Sequence, residues 1–482
     1  MPSTTNPSVR ILTLAAMLMM LAAAFVMLAA SVPADTQSLE TLLAYLKSPN
    51  VSTRRDAARK LGERRVRNQL AVEALAVAAT KDENGGVRED AVNSLGLIKD
   101  FSALPEMLDS IKDIEPSVRC VGVRSLVALY TEHDIEFITN RRSGWNLFNP
   151  LLDTSDHEII EPYILVDPRI IAALGESARG DKDRDVRISA IRGLGVLRGA
   201  GALTQLAEAL TADQDVRIEV LRAFIKIGDP AAGPHLVPFF TDSDHKVRTQ
   251  AMVAAGLLKY RPATEPLIAA YRLGPEKKGS MKKVTDKVKG RFTYLPPRDE
   301  AALWALSLLA DERAEQIFAE NLISYDGDRR QHAVEGLARL AKPQYLDQMS
   351  QLILTEDEGD VKLAKHFALY RMGSTPHLTY IIRKLDTDQA PQARGYLLEA
   401  NPVDLYQFVH SNSKEIRQGV IEVLGRTGDA ETVKELEPVV RTSSSSTADA
   451  ATVAIKRIEW RIAGRPRASD DVMQRPKHPA NP

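Results

Sequence analysis

The sequence predicts an all-α solenoid, a row of stacked helical hairpins carrying two loop insertions. Three observations predict it. A basic residue, followed by small and large apolar residues at fixed offsets, recurs at intervals near 32 residues. Aromatic residues make up only 5% of the chain, while Ala, Leu, Arg and Glu recur throughout, a composition that favours helices over a β-sandwich. A chain of 482 residues is also too long for one compact core.

The N-terminal segment comes first. Ile11 to Val32 are apolar, broken only by Thr13 and Ser31; Arg10 precedes them, and no acidic residue occurs before Asp35. A basic flank, an apolar run and small residues describe residues 1–34 as a signal peptide or an N-terminal membrane anchor. Cleavage would fall after Ala34, or near Ala29 to Ser31. Uncut, residues 11–32 are long enough to span a hydrocarbon layer of ~30 Å and would give membrane association. Either form places the rest of the chain outside the cytoplasm. No Cys ends the apolar run to take a lipid.

The repeat array follows, over 35–462. Val87-Arg88-Glu89-Asp90-Ala91-Val92-Asn93-Ser94-Leu95-Gly96 returns as Val186-Arg187-Ile188-Ser189-Ala190-Ile191-Arg192-Gly193-Leu194-Gly195. Further basic anchors fall at Arg54, Arg119, Arg217, Arg248, Arg298, Arg330, Lys362, Arg394 and Arg417. After the clearest anchors a small or apolar residue stands at +3 and Leu at +7: Ala57 and Leu61, Ala91 and Leu95, Ala190 and Leu194, Val420 and Leu424. Those offsets share one helical face. Gly62, Gly96, Gly195, Gly256 and Gly425 follow at +8, where close packing or a helix C-cap would use them. A polar turn comes next, and then a second amphipathic helix such as Leu203 to Leu210, with Leu203, Leu206 and Leu210 on one face. A degenerate last helix runs from about Ala448 to Ile462.

These residues resemble the HEAT-repeat superfamily, in its short phycobilisome-lyase-type form. Asp185-Val186-Arg187, Asp215-Val216-Arg217 and Asp244 with Val247-Arg248 carry the resemblance best. It implies a right-handed superhelix whose second helices line a concave groove. Of function it implies little, because scaffolds, lyases, hydroxylases and transport factors share the repeat. The HEAT-like deoxyhypusine hydroxylases hold iron with several His-Glu pairs; here His157-Glu158 is the only one, so that activity is not implied.

Two intervals are too long, and they mark insertions at about 133–166 and 274–297. The first gathers Phe137, Arg141, Arg142, Trp145, Phe148 and Tyr163 in an aromatic-poor chain. Arg141, Arg142, Trp145, Phe148 and Tyr163 are candidate partner contacts; the alternative is that the aromatics only plug the loop onto the solenoid. His133, Asp134, Asp153, Asp156, His157, Glu158 and Glu161 in the same loop match no compact metal-ligand spacing. The second insertion is basic. Lys282, Lys283, Lys287 and Lys289 are candidates for an acidic partner or anionic headgroups, against the alternative of a solvated loop. Beyond residue 462 the sequence reads as a disordered tail, 463–482.

Several function classes are excluded. Lys+Arg is 63 and Asp+Glu 64, a formal charge of −1, without the basic surplus a general nucleic-acid binder needs. Cys120 is the only cysteine, which rules out an internal disulfide and a multi-thiolate zinc site; it reads as a small core residue. There is no glycine-rich phosphate loop, dinucleotide fingerprint or nucleophile elbow. The recurrent arginines read as stacking contacts paired with turn carboxylates rather than as a phosphate stripe. The expectation is an exported scaffold for protein partners in the cell envelope, with no catalytic residue, metal or cofactor. A bilin-lyase-like small-molecule binder and an inert structural component are the alternatives.

Overall fold

The computed structural model describes residues 37–131, 159–275, 296–443 and 445–463. Among the described residues every regular element is helical. The chain divides into two compact units, Met1–Ser110 and Ile111–Pro482.

The first unit holds α1 (Leu39–Tyr45), α2 (Val51–Glu63), α3 (Gln69–Lys81), α4 (Gly85–Ile98) and α5 (Leu104–Ser110). The second opens with α6 (Pro116–Ala128), α7 (Pro168–Gly180), α8 (Arg184–Val196), α9 (Leu203–Ala209), α10 (Gln214–Ile227), α11 (His245–Leu257) and α12 (Thr264–Arg272). It continues with α13 (Arg298–Leu309), α14 (Glu315–Asn321), α15 (Gly327–Leu340), α16 (Leu346–Leu352), α17 (Gly359–Arg371) and α18 (His377–Arg383). The last five are α19 (Ala390–Leu397), α20 (Pro402–Leu405), α21 (Lys414–Thr427), α22 (Ala430–Thr442) and α23 (Ser445–Ala463).

The architecture is the predicted all-α solenoid. Every basic anchor lies on the first helix of a hairpin: Arg54 and Arg88 on α2 and α4, and the others from Arg119 on α6 to Arg417 on α21. First helices stack on first helices, as α2 on α4 and α11 on α13, and second helices pack on the next first helix, as α3 on α4 and α7 on α8. The +3 and +7 residues form the seam. Ala57, Leu61, Ala91, Ala190, Leu194, Val420 and Leu424 are fully buried. One hairpin departs from the plan. After α10 the second helix is replaced by 3-10 turns at Pro230–His235 and Val237–Thr241, because Pro230, Pro234 and Pro238 each remove a backbone donor and obstruct an α-turn.

The +8 glycines serve close packing, not capping. A Cβ on Gly256 would lie 2.9 Å from the Ala305 backbone, and one on Gly425 would lie 2.8 Å from Ala454 Cα. The reversal comes three residues later, at +11, where Arg65, Lys99, Arg198, Lys259 and Ala341 take φ of 47 to 57° and Gly228 and Gly373 are also positive. That left-handed turn releases the chain into the second helix.

The anchors form a hydrogen-bonded ladder. Arg54 grips Asp82 with Nε (2.7 Å) and Nη2 (2.9 Å) and donates Nη1 to Ser48 O. Asp82 also accepts from the Asn84 N–H, and its own carbonyl accepts Arg88 Nη1. One turn carboxylate thus ties its own repeat's arginine to that of the repeat before. The unit recurs at Arg119, Asp181 and Arg187, and at Arg217, Asp242 and Arg248. Asn50, Asn84, Asp183, Asp213, Asp244 and Asp326 cap the helices that follow, each supplying an acceptor to an otherwise orphaned N–H. The arginines are therefore stacking residues, as the pattern predicts.

Several sequence expectations lie outside the described residues. These are the segment 1–34 with its apolar run 11–32, the loop residues Arg141, Arg142, Trp145 and Phe148, the lysines Lys282, Lys283, Lys287 and Lys289, and the tail beyond 463. Among the described residues no helix is long and apolar enough to cross a membrane.

Candidate functional site

The end of the first insertion, residues 159–166, is described, and it binds back onto the second unit. Ile160 is buried. Its N–H donates to Val196 O at the end of α8 (3.0 Å), and its carbonyl accepts Arg198 Nε (3.0 Å). The left-handed φ of 49° at Arg198 turns the chain there and leaves the Val196 carbonyl open to this contact. Residues 159–162 therefore lie across the C-terminal end of α8, with both backbone groups of Ile160 satisfied.

The side chain of the next residue reaches α23. Glu161 accepts from Arg457 Nε at 2.6 Å and Nη2 at 2.5 Å, a two-point fork across 296 positions of sequence. Burial alone would lower the Arg457 pKa, but the Glu161 hydrogen bond outweighs it and the guanidinium is held above its ordinary value. The pair is partly screened from water, with side-chain exposures of 19% and 26%, which strengthens a charge-assisted fork.

Around this pair is an open cleft of about 240 Å³ lined by Ile159, Ile160, Glu161, Pro162, Arg198, Gly425, Arg426, Arg457, Trp460 and Arg461. Arg426 in this lining pairs with Glu422 at 3.2 Å. Arg461 donates to the carbonyls of Gly425, Arg426 and Gly428, so it completes the C-terminal end of α21, where the helix dipole favours a cation. Burial pushes its pKa down; Asp429 only partly restores it. The Trp460 indole N–H is shielded from water and has no acceptor among the described residues. The site thus holds a polypeptide segment with a guanidinium fork and the carbonyl at the end of α8, beside an indole donor.

Of the sequence candidates only Tyr163 is described. It is half-buried beside Pro162 and contributes to the electrostatic environment of Arg457. The structure gives the Glu161 carboxylate to the Arg457 guanidinium, which takes it out of the metal-ligand set considered from the sequence. Among the described residues no three His, Cys, Asp or Glu side chains converge to hold a metal ion. Cys120 is half-buried, not fully buried; burial pushes its thiol pKa up against a hydrogen bond from Ser189, the reverse of an activated thiolate. His366 and His377 meet Nδ1 to Nδ1 at 2.8 Å, and burial lowers the His366 pKa to about 4, leaving a neutral pair.

Sequence reasoning missed Arg198, Arg457, Trp460 and Arg461. Arg457 and Arg461 are four apart and flank one of three tryptophans, a face that could have been singled out. They escaped notice because α23 carries no anchor pattern.

The HEAT-repeat family model matches residues 22–140 and 167–272. This chain carries HEAT repeats. No curated relative matches it. Among solved structures, Escherichia coli YibA is similar at 18% identity over 64% of this chain and 94% of its own, with a TM-score of 0.37. The CpcE–CpcF complex of the Nostoc phycocyanin lyase is similar at 18% identity over 70% of this chain and 97% of that one, with a TM-score of 0.25. Kap95p, solved with RanGDP, is similar at 13% identity over 88% of this chain and 61% of its own, with a TM-score of 0.36. TM-scores this low carry no argument about the HEAT protein's site or partner.

Proposed function

We propose that this HEAT-repeat protein is an exported scaffold that recognises polypeptide partners in the cell envelope. One observation carries the binding part. The solenoid already grips an irregular segment of polypeptide, taking both backbone groups of Ile160 and the carboxylate of Glu161. Edge groups that hold a chain in cis have the chemistry to hold one in trans. Support for export is the apolar run at 11–32 and the basic flank before it. The insertion residues Arg141, Arg142, Trp145, Phe148 and Tyr163, and the basic group Lys282, Lys283, Lys287 and Lys289, remain candidate additional contacts.

The test is a crosslinked pull-down from envelope fractions, run beside cell fractionation. Specific retained proteins, reduced by an Arg457→Gln change that leaves the melting temperature near wild type, support the scaffold. No specific partner, or recovery of the protein only in the cytoplasm, overturns it. A visible chromophore in the purified protein would replace it with the small-molecule reading.

A further inference from the structure

We infer that the cleft between Arg198, Arg457 and Trp460 is a recognition site for a Glu-bearing segment of a partner polypeptide, and that residues 159–162 occupy it as an internal competitor. The inference rests on the polypeptide-scaffold reading above and deepens it.

The occupant is held by the contacts a foreign strand would use. Ile160 donates to Val196 O and accepts from Arg198 Nε, which specifies backbone and not a small anion. Glu161 fills the Arg457 fork, which specifies a carboxylate one residue further on. Of the lining arginines, Arg426 pairs with Glu422 and Arg461 with carbonyls at the end of α21, so Arg457 is the fork that takes the carboxylate. The Trp460 N–H, buried without an acceptor among the described residues, supplies a donor that residues 159–162 leave unused. An unmet buried donor weakens the cis complex relative to a ligand that satisfies it.

The anchoring ion pair is also open to solvent. Glu161 and Arg457 keep roughly a fifth to a quarter of their side-chain exposure, so the pair is open to exchange. A segment tethered in cis competes at an effective concentration on the order of millimolar. A trans peptide of micromolar intrinsic affinity is therefore held back by about 1,000-fold in the wild type.

The probe is a fluorescent peptide copying residues 159–167, which begin Ile159-Ile160-Glu161-Pro162, read by anisotropy against the full chain. Its partner probe carries Gln at the Glu161 position. Glu161→Gln in the protein is expected to tighten the Glu peptide at least 10-fold over wild type; the Gln peptide should bind weakly to both, and Arg457→Gln should abolish binding. Equal affinity for wild type and Glu161→Gln overturns the internal competitor. A wild-type measurement covers the case in which the variant does not fold: excess Glu peptide should raise hydrogen exchange at the Ile160 amide, and unchanged protection overturns displacement. Free glutamate at millimolar concentration should leave that amide protected; if it exposes the amide as well as the peptide does, the ligand is a small carboxylate and the polypeptide claim fails. Absence of peptide binding together with partners retained in the pull-down removes this cleft but keeps the scaffold. Absence of both removes the scaffold reading itself.

Discussion

Arg119 and Asp181 meet through a two-point fork, 2.8 Å at each contact, although 62 positions of sequence separate them. Arg54 and Asp82 make the same fork at a separation of 28. The first insertion therefore enlarges the connection between α6 and α7 without disturbing the contact that joins successive repeats. The carboxylate of Asp181 also accepts the Asp183 N–H, and its carbonyl accepts Arg187.

Removing that carboxylate should be costly. The Arg119 and Asp181 side chains are 12% and 9% exposed, so Asp181→Ala leaves a poorly solvated guanidinium and an unpaired turn amide. The expected loss is about 3 kcal/mol, read by urea denaturation. A loss below about 1 kcal/mol, the scale of exposed pairs, would show that the ladder does not support the fold.

Acid should act through Glu356. Burial raises its pKa, but Arg330 and Lys365 outweigh burial and bring the carboxyl to about 2, against an ordinary 4.5. A depressed carboxylate adds stability above its unfolded pKa and loses it as the pH falls through the folded one. The loss thus runs from about pH 4.5 down to about pH 2, worth up to about 3 kcal/mol. Glu356→Gln should flatten the stability profile in that window and lower stability at pH 7. An unchanged slope would refute the assignment.

The +8 glycine of α11 has no room for a side chain. Gly256→Ala would put Cβ 2.9 Å from the backbone of Ala305, and backbone cannot rotate away. The helices must separate, at about 2 kcal/mol, measured by thermal melting. Gly180→Ala, where nothing lies within 4 Å, should be neutral or slightly stabilising.

Ala341 takes φ of 49° at the turn where Gly228 and Gly373 also stand with positive φ. An L-residue there is strained by about 1 kcal/mol or more. Ala341→Gly should raise the unfolding free energy by up to about 1 kcal/mol, after the added entropy of the unfolded chain is offset.

By itself the sequence determined the helical class, the position of every hairpin's first helix, and the role of the recurrent arginines, because these depend on offsets of three and four residues and on caps a few positions away. Arg88, Ala91 and Leu95 declare a helix face over two successive turns. It left the +8 glycines open between two uses; only the neighbouring backbone of Ala305 and Ala454 settled them as packing residues. It also could not bring Glu161 to Arg457, or show Trp460 beside them. That meeting is decided by how the stacked helices of the second unit return across 296 positions, a sum of many small packing angles that no local spacing records.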